Sequence, residues 1–269
     1  MDYALYRPGP PLDRFVETLW AADHYVADAP RERVLPNGAH ALVIHLAEHP
    51  LHIYASEQTY VPTPASGAIV CGARQTSLII GTALGPTVGA QFRPGGASRI
   101  FRLPGSALLE QTVPLEALWG RCVGSLRERL LASDSTLARA RLLEAQLLAR
   151  LRDVSELDPA LRISLNAFEE RTLTSVAEVN RRTGLSPKRL LALFRDEVGL
   201  SPKAYWRVRR FRGALHDLDR GALRGAALAC SHGYCDQAHF LREFRAISGA
   251  SPSEYLASRN GGDHIALHG

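Results

Sequence analysis

The stretch that decides how this chain is read occurs twice, as LLALFRDEVGLSPKAY at residues 190–205 and as FLREFRAISGASPSEY at residues 240–255. Phe194, Arg195, Gly199, Ser201, Pro202 and Tyr205 return as Phe244, Arg245, Gly249, Ser251, Pro252 and Tyr255, and Leu190 is matched by Phe240, every pair 50 residues apart. Repeated Gly, Pro and aromatic positions at a single offset mark two copies of one supersecondary unit.

The unit is legible from its punctuation. In the first copy Ser175 is placed to cap a helix over residues 176–183, and Gly184 supplies the left-handed residue that ends it. Ser186 caps a second helix with Pro187 at its first position, where a missing N–H is harmless. On that helix Leu190, Leu193 and Phe194 share one face while Lys188, Ala192 and Arg195 point the other way. The second copy repeats the plan: a helix over residues 226–232, Gly233 as the turn, Asp236 as cap, and a helix from Gln237 to Arg245 burying Phe240 and Phe244. Small Ala229 sits where the crossing helices meet. Its counterpart Asn180 is polar and needs a hydrogen-bond partner or a wider crossing. Between the copies Ser201-Pro202 opens a longer helix through Arg212, with aromatics on one side and arginines offered on the other.

Helix, tight turn and capped second helix describe a helix-turn-helix, whose second helix enters the DNA major groove. A stiff intervening helix would hold both recognition helices about one DNA turn (~34 Å) apart. Two-helix units also build protein-binding repeats, but repeat, caps, turn glycines and charge agree on DNA. Residues 160–269 hold 17 basic and 11 acidic residues, against 15 and 16 in residues 1–159, within a net charge of +5. The excess lies on the repeat, as a polyanion partner requires.

Outward from the repeat, residues 1–105 read as β-rich, with short apolar runs at 18–21, 41–46, 67–71 and 77–81 separated by Pro36-Asn37-Gly38, Pro62-Thr63-Pro64, Gly85-Pro86 and Pro94-Gly95-Gly96. Such spacing suggests a small barrel or sandwich rather than βαβ units. Residues 106–159 read as a helical connector. Leu143, Leu147 and Leu151, widened by Leu142 and Leu148, form either a dimer seam or a stripe packed on the β-rich domain. The stripe is too short for a sustained heptad seam. Asp153 to Pro159 is the expected domain boundary, 160–260 the DNA-binding domain and 261–269 a loose tail. The expected fold class is thus α+β.

The 269 residues are 46% apolar and 22% charged, a globular composition. No apolar run reaches the roughly 18–20 residues of a membrane span, and the start of the chain lacks a signal-peptide pattern. Cys71, Cys122, Cys230 and Cys235 form no CxxC pair, which favours a reducing cytoplasm. Cys230 reads as a small buried thiol on a packing helix. No phosphate loop, serine elbow or paired catalytic carboxylates appear, so no enzyme is read here.

Residues 233–245, Gly-Tyr-Cys-Asp-Gln-Ala-His-Phe-Leu-Arg-Glu-Phe-Arg, followed by Gly249 to Tyr255, resemble the signature of the AraC/XylS family of bacterial transcription regulators over roughly residues 160–260. The resemblance implies a seven-helix DNA-binding domain with two helix-turn-helix units. It also implies a cytoplasmic activator or repressor whose partners are double-stranded DNA, RNA polymerase, a small-molecule effector of unknown identity and a second copy of the chain. Carried over residue by residue, Lys188, Leu191 and Ala192 face bases from the first recognition helix, and Gln237, Ala238, Leu241 and Arg242 from the second. Arg242 and Lys188 suit guanine and Gln237 adenine, whereas Arg189, Arg195, His239 and Arg245 suit phosphates. Leu191 and Ala192 depart from the polar residues often found there, which shifts expected specificity to the second unit.

More weakly, Val34 to Gly38, Phe92 to Gly96 and Leu118 to Gly120 resemble the cupin-like effector or dimerisation domains that precede this module. Trp20, Tyr25, His45 and Phe92 are the effector-site candidates, chosen as aromatic or polar groups near expected strands. His24, His40, His45, His49 and His52 give no ligand set with Glu, so no metal or other cofactor is expected. A cupin-like enzyme, or a purely dimerising domain fused to the same DNA-binding module, is the alternative.

Overall fold

The computed structural model describes residues 3–23, 29–58, 63–65, 67–82, 85–152, 154–170, 173, 175–223, 225–259 and 264–267. In the N-terminal half β1 (Tyr3–Tyr6), β2 (Val16–Ala22), β3 (Arg31–Val34), β4 (Ala41–His45), β5 (Leu51–Tyr54), β6 (Thr63–Ala65), β7 (Ala68–Cys71), β8 (Leu78–Gly81) and β9 (Thr87–Phe92) precede α1 (Gly96–Phe101) and β10 (Thr112–Pro114). Then come α2 (Leu115–Trp119), α3 (Cys122–Leu131) and α4 (Thr136–Arg150). The C-terminal half holds α5 (Pro159–Glu169), α6 (Val176–Thr183), α7 (Pro187–Glu197), α8 (Pro202–Asp219), α9 (Gly225–Ser231), α10 (Gln237–Ser248), α11 (Pro252–Ser258) and a last strand, β11 (His264–Leu267).

The strands form two antiparallel sheets, ordered β1-β2-β9-β4-β7-β10 and β11-β3-β8-β5-β6. The arrangement is sandwich-like, with no closed barrel among the described residues. Leu19, Ala21, Leu42, Ile44, Val70, Val88 and Ala90 of the first sheet share one core with Leu126 and Leu130 of α3 and Leu143 and Leu147 of α4. The leucine stripe is thereby used in packing against this sheet: Leu143, Leu147 and Leu151 are buried, and only Leu148 of the group stands exposed.

Three sequence expectations need correction. The connector is not wholly helical, because Thr112–Pro114 pair with β7 and complete the first sheet. The tail is not loose, because His264–Leu267 lie antiparallel along β3, where Ile265 and Ala266 become buried. A short apolar run, Ile265-Ala266-Leu267, beside an unpaired sheet edge is enough to add a strand, but nothing local announces the edge. Cys230 is exposed on α9, not buried.

Candidate nucleic-acid interface

Each helix-turn-helix unit is built as its punctuation demands. The Ser175 hydroxyl accepts from Glu178 N (3.3 Å), the Ser186 hydroxyl from Arg189 N (3.3 Å) and the Asp236 carboxylate from His239 N (2.6 Å), each satisfying an orphan N–H of a first helical turn. Gly184 and Gly233 turn the chain at φ of +70° and +68°. In both copies the turn requires a left-handed residue. Asn180 finds its partner, with Nδ2 donating to the Leu185 carbonyl at 3.0 Å.

The buried faces fix which residues look outward. In the first unit Phe194 packs edge-on to Phe168 of α5 (5.6 Å) and Tyr205 of α8 (5.8 Å). In the second, Phe244 meets Phe211 (5.1 Å), Phe240 (5.6 Å) and Tyr255 (6.0 Å). With Leu190, Phe194, Phe240 and Phe244 sealed inside, Lys188, Arg189, Ala192 and Arg195 are exposed on α7, and Gln237, Ala238, Leu241 and Arg242 on α10. Leu191 is half-buried. Apart from Leu191, the side chains expected to face bases are thus exposed on α7 and α10.

Two of the phosphate candidates carry partners. Arg245 forms an exposed ion pair with Glu254 (2.8 Å), and Glu254 is held down to about 2 by hydrogen bonds from the Ser251 backbone and hydroxyl and then from Arg245. His239 is half-buried, and its Nδ1 accepts from Cys235 N (3.3 Å), which leaves the neutral ring's proton on Nε2. The arginines of α8 do not form a free face. Arg207 binds Glu243 of α10 (2.7 Å), and Arg209 binds Glu169 of α5 (2.7 Å). Arg210 lies 4.8 Å over both Trp206 and Tyr234 and donates to the Gly233 carbonyl. Sequence periodicity assigned these groups to solvent; tertiary packing makes them staples from α8 to α5 and to the second unit.

Of the effector candidates, Tyr25 lies outside the described residues. Phe92 is sealed in the N-terminal core beside Phe101 (5.3 Å). His45 is buried, its Nε2 accepting from Gly85 N (3.1 Å), and burial first, then His49 and Arg127, pushes its pKa down to about 4. Trp20 is half-buried on β2. None of these three lines the cavity of about 610 Å³ between the domains, whose walls include Glu17, Gln91, Phe168, Trp206, Arg209 and Arg212. Residue types alone gave no signal for that cavity, because its walls come from β2, β9, α5 and α8.

Residues 179–258 match the family model described as Helix-turn-helix domain, and residues 4–114 match one described as Domain of unknown function (DUF6597). Over 131 residues the chain is 31% identical to the arabinose operon regulatory protein of Escherichia coli (strain K12), covering 46% of this chain and 45% of that protein. The Salmonella typhimurium counterpart is also 31% identical over 131 residues, 46% of this chain and 47% of that one. The chain thus spans about half the length of the curated relatives it matches. Among solved structures, ToxT from Vibrio cholerae is similar at 10% identity and a TM-score of 0.49, covering 96% of this chain and 98% of that one. The C-terminal domain of AraT, a response regulator from Geobacillus stearothermophilus, is similar at 24% identity and a TM-score of 0.36, covering 42% of this chain and 97% of that one. Among the described residues, no helix is long and apolar enough to cross a membrane.

Proposed function

We propose, from the premise that the C-terminal half of this chain is an AraC-type helix-turn-helix domain, that the protein is a sequence-specific DNA-binding transcription regulator and not an enzyme. One observation carries the reading: both recognition helices of the repeat hold their aromatic faces inside and leave Lys188, Ala192, Gln237, Ala238, Leu241 and Arg242 exposed. In this reading Lys188, Gln237 and Arg242 read base edges, while Leu241, Ala238, Ala192 and the half-buried Leu191 meet thymine methyls. Arg189, Arg195, His239 and Arg245 set register on phosphates. The half-buried Leu191 and small Ala192 leave the second unit with more of the specificity.

The same reading gives the protein a cytoplasmic role at promoters, with RNA polymerase and a second copy as partners and a small molecule as effector. That molecule acts through the N-terminal domain, and the cavity beside α8 is where it can touch both domains. Selection of duplexes from a random pool tests the assignment. Enrichment of one motif by the unaltered chain, lost on Arg242→Ala, supports it; enrichment of no sequence overturns it.

A further inference from the structure

The N-terminal domain grips both helix-turn-helix units, and it does so at positions the repeat makes equivalent. At the end of α7, Ser98 Oγ donates to Glu197 Oε2 (3.0 Å), Arg99 pairs with Glu197 (3.8 Å), and a Cβ placed on Gly199 would lie 2.8 Å from the Gly105 carbonyl oxygen. Fifty residues on, at the end of α10, Ser77 N donates to the Ile247 carbonyl (2.9 Å) and Arg33 Nη1 to the Ser248 carbonyl (3.0 Å). These are last-turn carbonyls, which a helix cannot satisfy itself. Apolar contacts follow the same division. Ala73 enters the core of the first unit, and Leu35 that of the second. Gly38 sits against Tyr205 and Val208 in the helix between them.

Strand β11 closes this arrangement. It leaves α11, pairs with β3 in the register His264 to Val34 and Leu267 to Arg31, and sends Ile265 into the core shared by Phe211, Phe240, Phe244 and Tyr255. His264 Nδ1 lies 2.7 Å from the fully buried Glu32 carboxylate. The arrangement leaves Lys188, Ala192, Gln237, Ala238, Leu241 and Arg242 exposed. It fixes where one recognition helix stands relative to the other.

We infer that the N-terminal domain, closed by β11, is a splint that makes the chain discriminate between duplexes by the number of base pairs separating two half-sites. The inference rests on the DNA-binding reading above. One inserted base pair moves the second half-site by ~3.4 Å along the duplex and rotates it by ~35°. A rigid pair of helices cannot follow, and it loses the effective concentration that links its two contacts.

The test is an insertion series, 0 to 5 added base pairs between the half-sites of a duplex selected by the unaltered chain. It uses that chain, a chain ending at Arg259, and the double variant Ala266→Pro with Leu267→Pro. Successive strand residues alternate, so one of those two N–H groups must face β3. Faster amide exchange at residues 31–34 reports that β11 has opened. For the unaltered chain a one-base-pair insertion should weaken binding about tenfold or more, and for an opened chain by less than about threefold. A penalty that persists with β11 open overturns the inference, since α8 alone then sets the spacing; so does an unaltered chain indifferent to insertion. If neither variant folds, Arg33→Gln combined with Ser77→Ala, which removes both side-chain bonds to the Ser248 carbonyl and leaves the strand, decides by the same ratio. Failure of the unaltered chain to bind any duplex would overturn the DNA-binding reading itself.

Discussion

Replacing Arg195 with Gln should weaken binding to every duplex alike, whereas replacing Arg242 with Ala should weaken binding mainly where a guanine is read. Both side chains are exposed, and neither forms an ion pair with a described residue. Of the phosphate set, Arg189 and Arg195 are free in this sense, and Arg245 must leave Glu254. That exchange is cheap, because an exposed pair contributes only about 0–1 kcal/mol. Three neutralised phosphates predict a slope of log affinity against log salt of about −2.7, or about a 40-fold loss between ~50 and ~200 mM salt. Arg195→Gln should bring the slope to about −1.8 and the loss to about 12-fold. Arg242→Ala should leave the slope and instead cost about 1–3 kcal/mol, roughly 5- to 150-fold, on the selected duplex alone. Fluorescence anisotropy on the selected and on an unrelated duplex, titrated with salt, measures all four quantities. A slope near zero for the unaltered chain, or equal losses for the two variants on both duplexes, would refute the division of roles.

Asn180→Ala removes the bond to the Leu185 carbonyl and should destabilise the chain by about 1–3 kcal/mol in urea unfolding, because a partly buried carbonyl is left without that partner. Phe244→Ala empties the aromatic centre of the second unit and should cost about 3–5 kcal/mol, read as a lowered Tm; a loss below about 1 kcal/mol, as for a surface residue, would contradict the packing described. His40 is buried at the domain junction with Nε2 3.3 Å from the Gly105 carbonyl, and burial pushes its pKa down to about 4. A folded pKa below the unfolded value means the unfolded chain takes up the proton first, so stability falls as pH drops from about 6.5 towards 4. A His40→Gln variant should show a flatter urea-midpoint profile across that window, and an unchanged profile would reject the assignment.

The helix-turn-helix units were legible because their information is local. Caps at Ser175, Ser186, Ser201 and Asp236, and left-handed glycines at 184 and 233, are single-residue requirements, and the structure meets each where the sequence places it. The aromatic i and i+4 positions Phe240 and Phe244 fix the buried face by helical geometry, and the outward face follows by subtraction. The arginines of α8 were misread for the same reason. Periodicity shows that Arg207, Arg209 and Arg210 leave one face of a helix, but it cannot show that Glu243, Glu169 and Gly233 from other elements come to meet them.

What the sequence determined by itself was therefore the repeat, the caps and turns, and the set of side chains the recognition helices turn outward, since each depends on residues within a few positions of one another. Tertiary structure alone decided that His264–Leu267 join a sheet begun more than 200 residues earlier, that Phe92 and His45 are buried away from the cavity between the domains, and that equivalent ends of α7 and α10 rest on one domain. Those facts depend on which unpaired sheet edge and which unsatisfied carbonyls chain collapse brings together, and no short-range pattern encodes that proximity.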